Sequence, residues 1–146
     1  MRYTDALPDL IEGAYKELFE AADKVALDFK PSDTNRTPLE MVVECATVPG
    51  FLAPTIRALA MPPMDGPMPT FDHLKTVADC RAHFDSVKAD LYDAIRAFPQ
   101  ERIMEKIETP WGTFTWVEFM SYAYWNPMYH YGQIAYIQMI HGDTSM

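Results

Sequence analysis

The sequence predicts an all-α protein, a four-helix bundle with an irregular crossover before the last helix. Three observations predict it. Apolar residues recur at three- and four-residue steps through long segments, the period of a helix with one buried stripe. Two capping boxes, at Thr37 and Thr115, each announce a helix start. Stretches rich in Pro and Gly separate the segments, and no internal repeat divides the chain.

The first helix is expected from Asp5 to Phe29. Leu7, Leu10, Ile11, Ala14, Leu18, Ala21, Val25 and Phe29 form its stripe, and Lys30-Pro31-Ser32-Asp33 stops it. The second starts at Thr37-Pro38-Leu39-Glu40, with Pro at the first helical position, and runs to about Leu59. Pro49 cannot donate to the carbonyl four residues earlier, so a kink is expected there, and Pro54 repeats the defect.

Residues 60–69 hold four prolines and three methionines, which exclude helix and strand. They read either as a connector folded on the body or as an adaptable apolar lid. The third helix is expected from Phe71 to Ala97 with Thr70 as its cap, and His73 and His83 fall among its surface residues. Residues 99–114 are not helical: Ile103 to Ile107 reads as a short extended piece and Thr109-Pro110-Trp111-Gly112 as a turn. Thr115 and Glu118 then open the fourth helix, and Gly142 closes it. This helix is apolar nearly all round, which predicts a central position. Asn126-Pro127 reads as a restart within it.

Of the 146 residues, 49% are hydrophobic and 13% aromatic, enough for one core and most simply one domain, 1–146. The net charge of −9 and the absence of any basic run argue against nucleic acid and anionic membrane surfaces as partners. Cys45 and Cys80 have neither CxxC nor zinc-finger spacing and read as two reduced core cysteines. No segment reads as a membrane span or a signal core, so a cytoplasmic location is expected. No Gly-x-Ser-x-Gly elbow, Walker motif or dinucleotide glycine pattern occurs.

Two ionisable groups stand alone in apolar surroundings: Glu44 between Met41 and Ile56, and His130 between Phe119 and Ile140. A buried charge needs a partner, a proton or a metal, so these are the first candidates for chemistry. Asn126 lies one helical turn before His130 on the same face, with Gln133 continuing the line. An i, i+4 pair can present two ligands to one metal, although an amide is a weak ligand except to hard cations.

Pro110-Trp111-Gly112, Thr115, Glu118, Asn126, His130, Gly132, Gln133 and Gly142 together resemble the C-terminal signature of the DinB/YfiT-like superfamily. The resemblance implies a four-helix bundle, often dimeric, that in many members holds a divalent metal on three histidines, one on the second helix and an i, i+4 pair on the fourth. This chain keeps only His130 of the three. Asn126 replaces the first histidine of the pair, and Glu44 stands where the second-helix histidine is expected. Three readings stay open: an altered Glu44–Asn126–His130 site for zinc, manganese, iron or nickel; a metal-free Glu44–His130 pair; or a site holding only water and hydrogen bonds.

The resemblance implies a metal-dependent transferase that joins a low-molecular-weight thiol to an electrophile, or a related metalloenzyme. Trp125, Tyr122, Tyr129 and Met128, with Gln133, would then wall a pocket for a small apolar electrophile, although aromatics at helical spacing read first as core. The alternative is a non-catalytic bundle that has lost its metal, binding a small ligand or serving as a homodimeric scaffold.

Overall fold

The computed structural model describes residues 1–145. Four helices, α1 (Tyr3–Ala22), α2 (Pro38–Ala58), α3 (Val77–Arg96) and α4 (Trp116–Ile140), carry most of the chain. Two short strands, β1 (Lys106–Thr109) and β2 (Gly112–Thr115), form an antiparallel hairpin between α3 and α4. The four expected helices are present, and a small sheet is added to them. The turn at Thr109–Gly112 was legible, but the extended piece lies at Lys106–Thr109 rather than Ile103–Ile107, and its partner strand follows the turn.

The helix starts obey local chemistry. At α2 the Thr37 hydroxyl accepts from Glu40 N at 3.2 Å and the Glu40 carboxylate accepts from Thr37 N at 2.6 Å. Thr115 and Glu118 repeat this at α4. The start of α3 differs from expectation: its cap is Thr76, not Thr70, with Asp79 as the reciprocal acid. Phe71 and Leu74 precede the helix in a turn, closed by Leu74 N donating to Phe71 O at 2.9 Å.

α1 ends at Ala22 rather than Phe29. The apolar stripe continues, because Val25 and Leu27 still pack on the core, but the backbone no longer winds. Leu27 O instead accepts from Leu39 N, in the first turn of α2, at 3.1 Å. α4 is continuous through Pro127, so the expected restart at Asn126 does not occur. It closes at Gly142, whose φ of 83° is the left-handed conformation of a helix stop.

Contacts at the helix ends fix the directions. Tyr3 meets Ser121 near the starts of α1 and α4, and Phe29 meets His141 past their ends, so α1 and α4 run parallel. α3 opposes α1: Gln100, just past α3, meets Thr4, and Arg81 meets Asp23. Arg57 and Asp90 pair late in α2 and α3, so these two also run parallel. Parallel neighbours need a connection as long as a helix, here about 31 Å. The crossover is thus the Pro/Met segment between α2 and α3, whose prolines favour an extended chain of about 3.1 Å per residue. The link before α4 is irregular, as expected, but stays at one end of the molecule.

The centre of the core lies where α1, α2 and α3 meet. Pro49 lacks an N–H, so the carbonyl of Cys45 has no intrahelical donor. The fully buried Tyr15 hydroxyl supplies one at 2.5 Å, and the Tyr15 ring stacks on Phe84 with centroids 3.8 Å apart. Both cysteines are free and buried, and burial pushes the Cys45 thiol well up, so it stays protonated.

By length and mean hydropathy, 1.3 over the best window, α2 is long and apolar enough to cross a membrane, contrary to the sequence reading. Half of that window is buried inside this fold, against α1, α3 and α4, as in the core helix of a packed domain. α4 is less enclosed than its composition implied: Trp125, Tyr129, Tyr136 and Met139 are exposed along one face.

Tyr15→Phe leaves the Cys45 carbonyl buried without a donor and should cost about 1–3 kcal/mol. Denaturant melts measure it; a stability equal to wild type would show that the carbonyl is satisfied in another way.

Candidate functional site

α2 and α4 bring Glu44 and His130 together, as their isolation in the sequence implied. His130 Nε2 lies 3.4 Å from Glu44 Oε1, and its Nδ1 lies 2.7 Å from Gln133 Oε1, one turn further along α4. An imidazolium satisfies this arrangement by donating to both oxygens. A neutral ring satisfies it with Nε2–H toward Glu44 and the Gln133 amide turned to donate. His130 is only 5% exposed, while Glu44 reaches the surface.

The sequence reading missed Arg36. Its Nη1 lies 2.5 Å from Glu44 Oε2, and its Nη2 donates to Glu40 O at 3.0 Å. A signal was present: Arg36 is the only Lys or Arg between Lys30 and Arg57. Glu44 therefore has a cation on one oxygen and an imidazole on the other. His130 chiefly, and then Arg36, against the opposing effect of burial, hold the Glu44 carboxyl down at about 2.

Asn126 does not join the pair. It is buried, and its Nδ2 donates to Cys45 Sγ at 3.5 Å. Tyr129 is exposed, with its ring edge-on to His130 at 5.3 Å. Gln133 acts as the second partner of His130 rather than as a pocket wall. Of the predicted pocket residues, Tyr122 and Trp125 do line a cavity, their rings in edge contact at 4.6 Å.

As placed, Glu44 and His130 face each other and Asn126 faces Cys45, so the three expected donors do not converge on one point. Zinc sites take three or four protein donors. Here both Glu44 oxygens and both His130 nitrogens already face partners. Among the described residues no cluster of three His, Cys, Asp or Glu side chains is placed to hold an ion, and no buried side-chain nitrogen or oxygen lacks a hydrogen-bond partner.

The cavity is the larger feature. It encloses about 1210 Å³ beside Glu44, between α2, the start of α4, the hairpin and the Pro/Met segment. α3 and α4 share little packing, and the cavity lies where they part. Phe51 of α2 meets Trp111 of the hairpin turn edge-on at 5.9 Å across it. Met64 and Met68 contribute from the crossover, so that segment is a wall of the cavity as well as a connector. His83, expected at the surface, is half-buried against Phe71 and also lines the space. These residues are far apart in sequence and carry no shared motif, so tertiary packing alone decides that they converge.

No family model matches the chain, and no curated protein matches it. Among solved structures, a DinB-like protein from Bacillus subtilis, YjoA, superposes with a TM-score of 0.70 over 96% of this chain and 94% of that one, at 15% identity. This chain has a DinB-like fold. At that identity the likeness is one of fold.

The Glu44 carboxyl sits near 2 when folded and near 4.5 when free, so its stabilising contribution is complete above the free value and is lost as pH falls through the folded one. Glu44→Gln should cost about 1–3 kcal/mol at neutral pH, between the values for exposed and buried pairs. It should also flatten the acid dependence over that window. Urea melts of both proteins across the window test this, and parallel pH curves would refute it.

Proposed function

We propose that this protein binds a small, largely apolar molecule in the cavity between α2, α4, the hairpin and the Pro/Met segment, and that the Arg36–Glu44–His130 chain is a structural ion-pair network at its edge. The observation that carries this reading is the cavity itself. Its volume of about 1210 Å³ exceeds the roughly 300–1,000 Å³ of typical small-molecule sites, and aromatic and aliphatic side chains dominate its walls. A stable domain leaves such a space open at the cost of unburied apolar surface, which a ligand would cover.

The Pro/Met wall supports the same reading. Methionine side chains are unbranched and polarisable, so Met64 and Met68 adapt to guests of different shape. The prolines keep the wall extended without demanding ladder hydrogen bonds.

Metal-dependent thiol transfer is the competing reading. It would need an ion at His130 to lower the thiol pKa and hold the thiolate. The only adjacent carboxylate is already held by Arg36, and Asn126 turns toward Cys45. Neither buried cysteine supplies a nucleophile, because burial keeps both thiols protonated, Cys80 at about 11.

The neutral probe N-phenyl-1-naphthylamine should bind with a fluorescence gain, and Trp111→Ala with Phe51→Ala should weaken it about tenfold or more, the loss of two aromatic walls. After loading with zinc, manganese, iron or nickel and dialysis, the protein should retain far less than one metal per chain. Stoichiometric metal that disappears in His130→Ala would favour the transferase instead. Unchanged probe binding in the double variant would remove the cavity as the site.

A further inference from the structure

We propose that the cavity selects apolar organic cations over anions of the same size and shape. This rests on the small-molecule reading of the cavity and adds the charge of its occupant.

The lining is one-sided in charge. Glu44 and Glu118 contribute carboxylates, and no Lys or Arg lines the cavity among the described residues. Arg36 pairs with Glu44 from an adjoining shallow depression, which shares Glu44, Thr47 and Phe71 with the cavity and also holds Lys75 and Asp72, so it neutralises that carboxylate and leaves Glu118 as the net charge of the wall. Glu118 has no ion-pair partner among the described residues. Its Oε2 takes the capping hydrogen bonds of Thr115, from N at 2.7 Å and from the hydroxyl at 2.9 Å. Those bonds lower its pKa and keep it ionised. The N-terminal dipole of α4 offsets part of this charge without reversing it.

The third titratable group on the wall adds no positive charge. Burial, and then the neighbouring His73, hold the His83 imidazole below its ordinary value, so at neutral pH it is uncharged. The remaining walls are rich in aromatic rings, among them Phe51, Trp111, Phe114, Tyr122 and Trp125. A ring face carries negative quadrupolar charge, attracting a desolvated cation and repelling an anion. The ionised Glu118 sets the sign, a ring that turns its face to the occupant adds to it, and against these stands only the partial charge of the α4 N-terminus. A delocalised organic cation with an apolar body matches both properties, because it loses little hydration on entry.

Tetraphenylphosphonium and tetraphenylborate provide the test, since they share size and shape and differ in charge. Isothermal titration of the full chain at physiological ionic strength should give at least about tenfold tighter binding of the phosphonium. Glu118→Gln keeps the capping box, which accepts Gln as well as Glu, and should narrow the preference several-fold. Glu20→Gln removes an exposed α1 carboxylate away from the cavity and should leave it unchanged. Equal or tighter borate binding would overturn the charge selection while the cavity reading stands. A preference reduced equally by Glu118→Gln and Glu20→Gln would be bulk attraction to an acidic chain, and would also overturn it. Failure of both ions and of the neutral naphthylamine to bind would overturn the cavity reading and this inference with it.

Discussion

The fold depends on one carbonyl. Pro49, buried within α2, strips the fully buried Cys45 of the helical donor to its carbonyl. An unpaired carbonyl there would be costly, and the Tyr15 hydroxyl from α1 removes the cost. The same residue accepts Asn126 Nδ2 from α4 on its sulfur, and the Tyr15 ring rests on Phe84 of α3. All four helices therefore meet around a single proline-induced defect. It also sets the site: Glu44, next to Cys45, is held opposite His130 by the packing that holds Tyr15 and Asn126 in place.

The second constraint is direction. Because α2 and α3 run parallel, their connection must travel the length of the molecule. A helix or strand there would compete for the bundle's faces, whereas a Pro-rich extended segment does not. α3 and α4 pack little on each other, and the crossover and hairpin cover the space between them without filling it. The cavity is thus a consequence of topology: side chains from loops line a side that a closely packed helix pair would have sealed.

The polar cluster is an electrostatic joint between α2 and α4. Glu44 is paired on both oxygens, and Gln133 orients the far side of His130. Such a network fixes the α2–α4 register through charge and hydrogen bonds.

Where chemistry was local, the sequence determined the structure. The helix starts at Thr37 and Thr115 and the stop at Gly142 depend on residues within a few positions of each other, and each is where its pattern placed it. The proximity of Glu44 and His130 was legible for a different reason, since a lone buried charge must find a partner. Other features came only from tertiary packing. The stripe of α1 outlasts its helix, because Val25 and Leu27 can pack without winding once Leu39 takes the Leu27 carbonyl. The pairing of β1 with β2, the reach of Arg36 to Glu44 and the turn of Asn126 toward Cys45 depend on distances through space. The cavity belongs with them, because its walls come from five separate parts of the chain and a void is a property of how helices fail to meet.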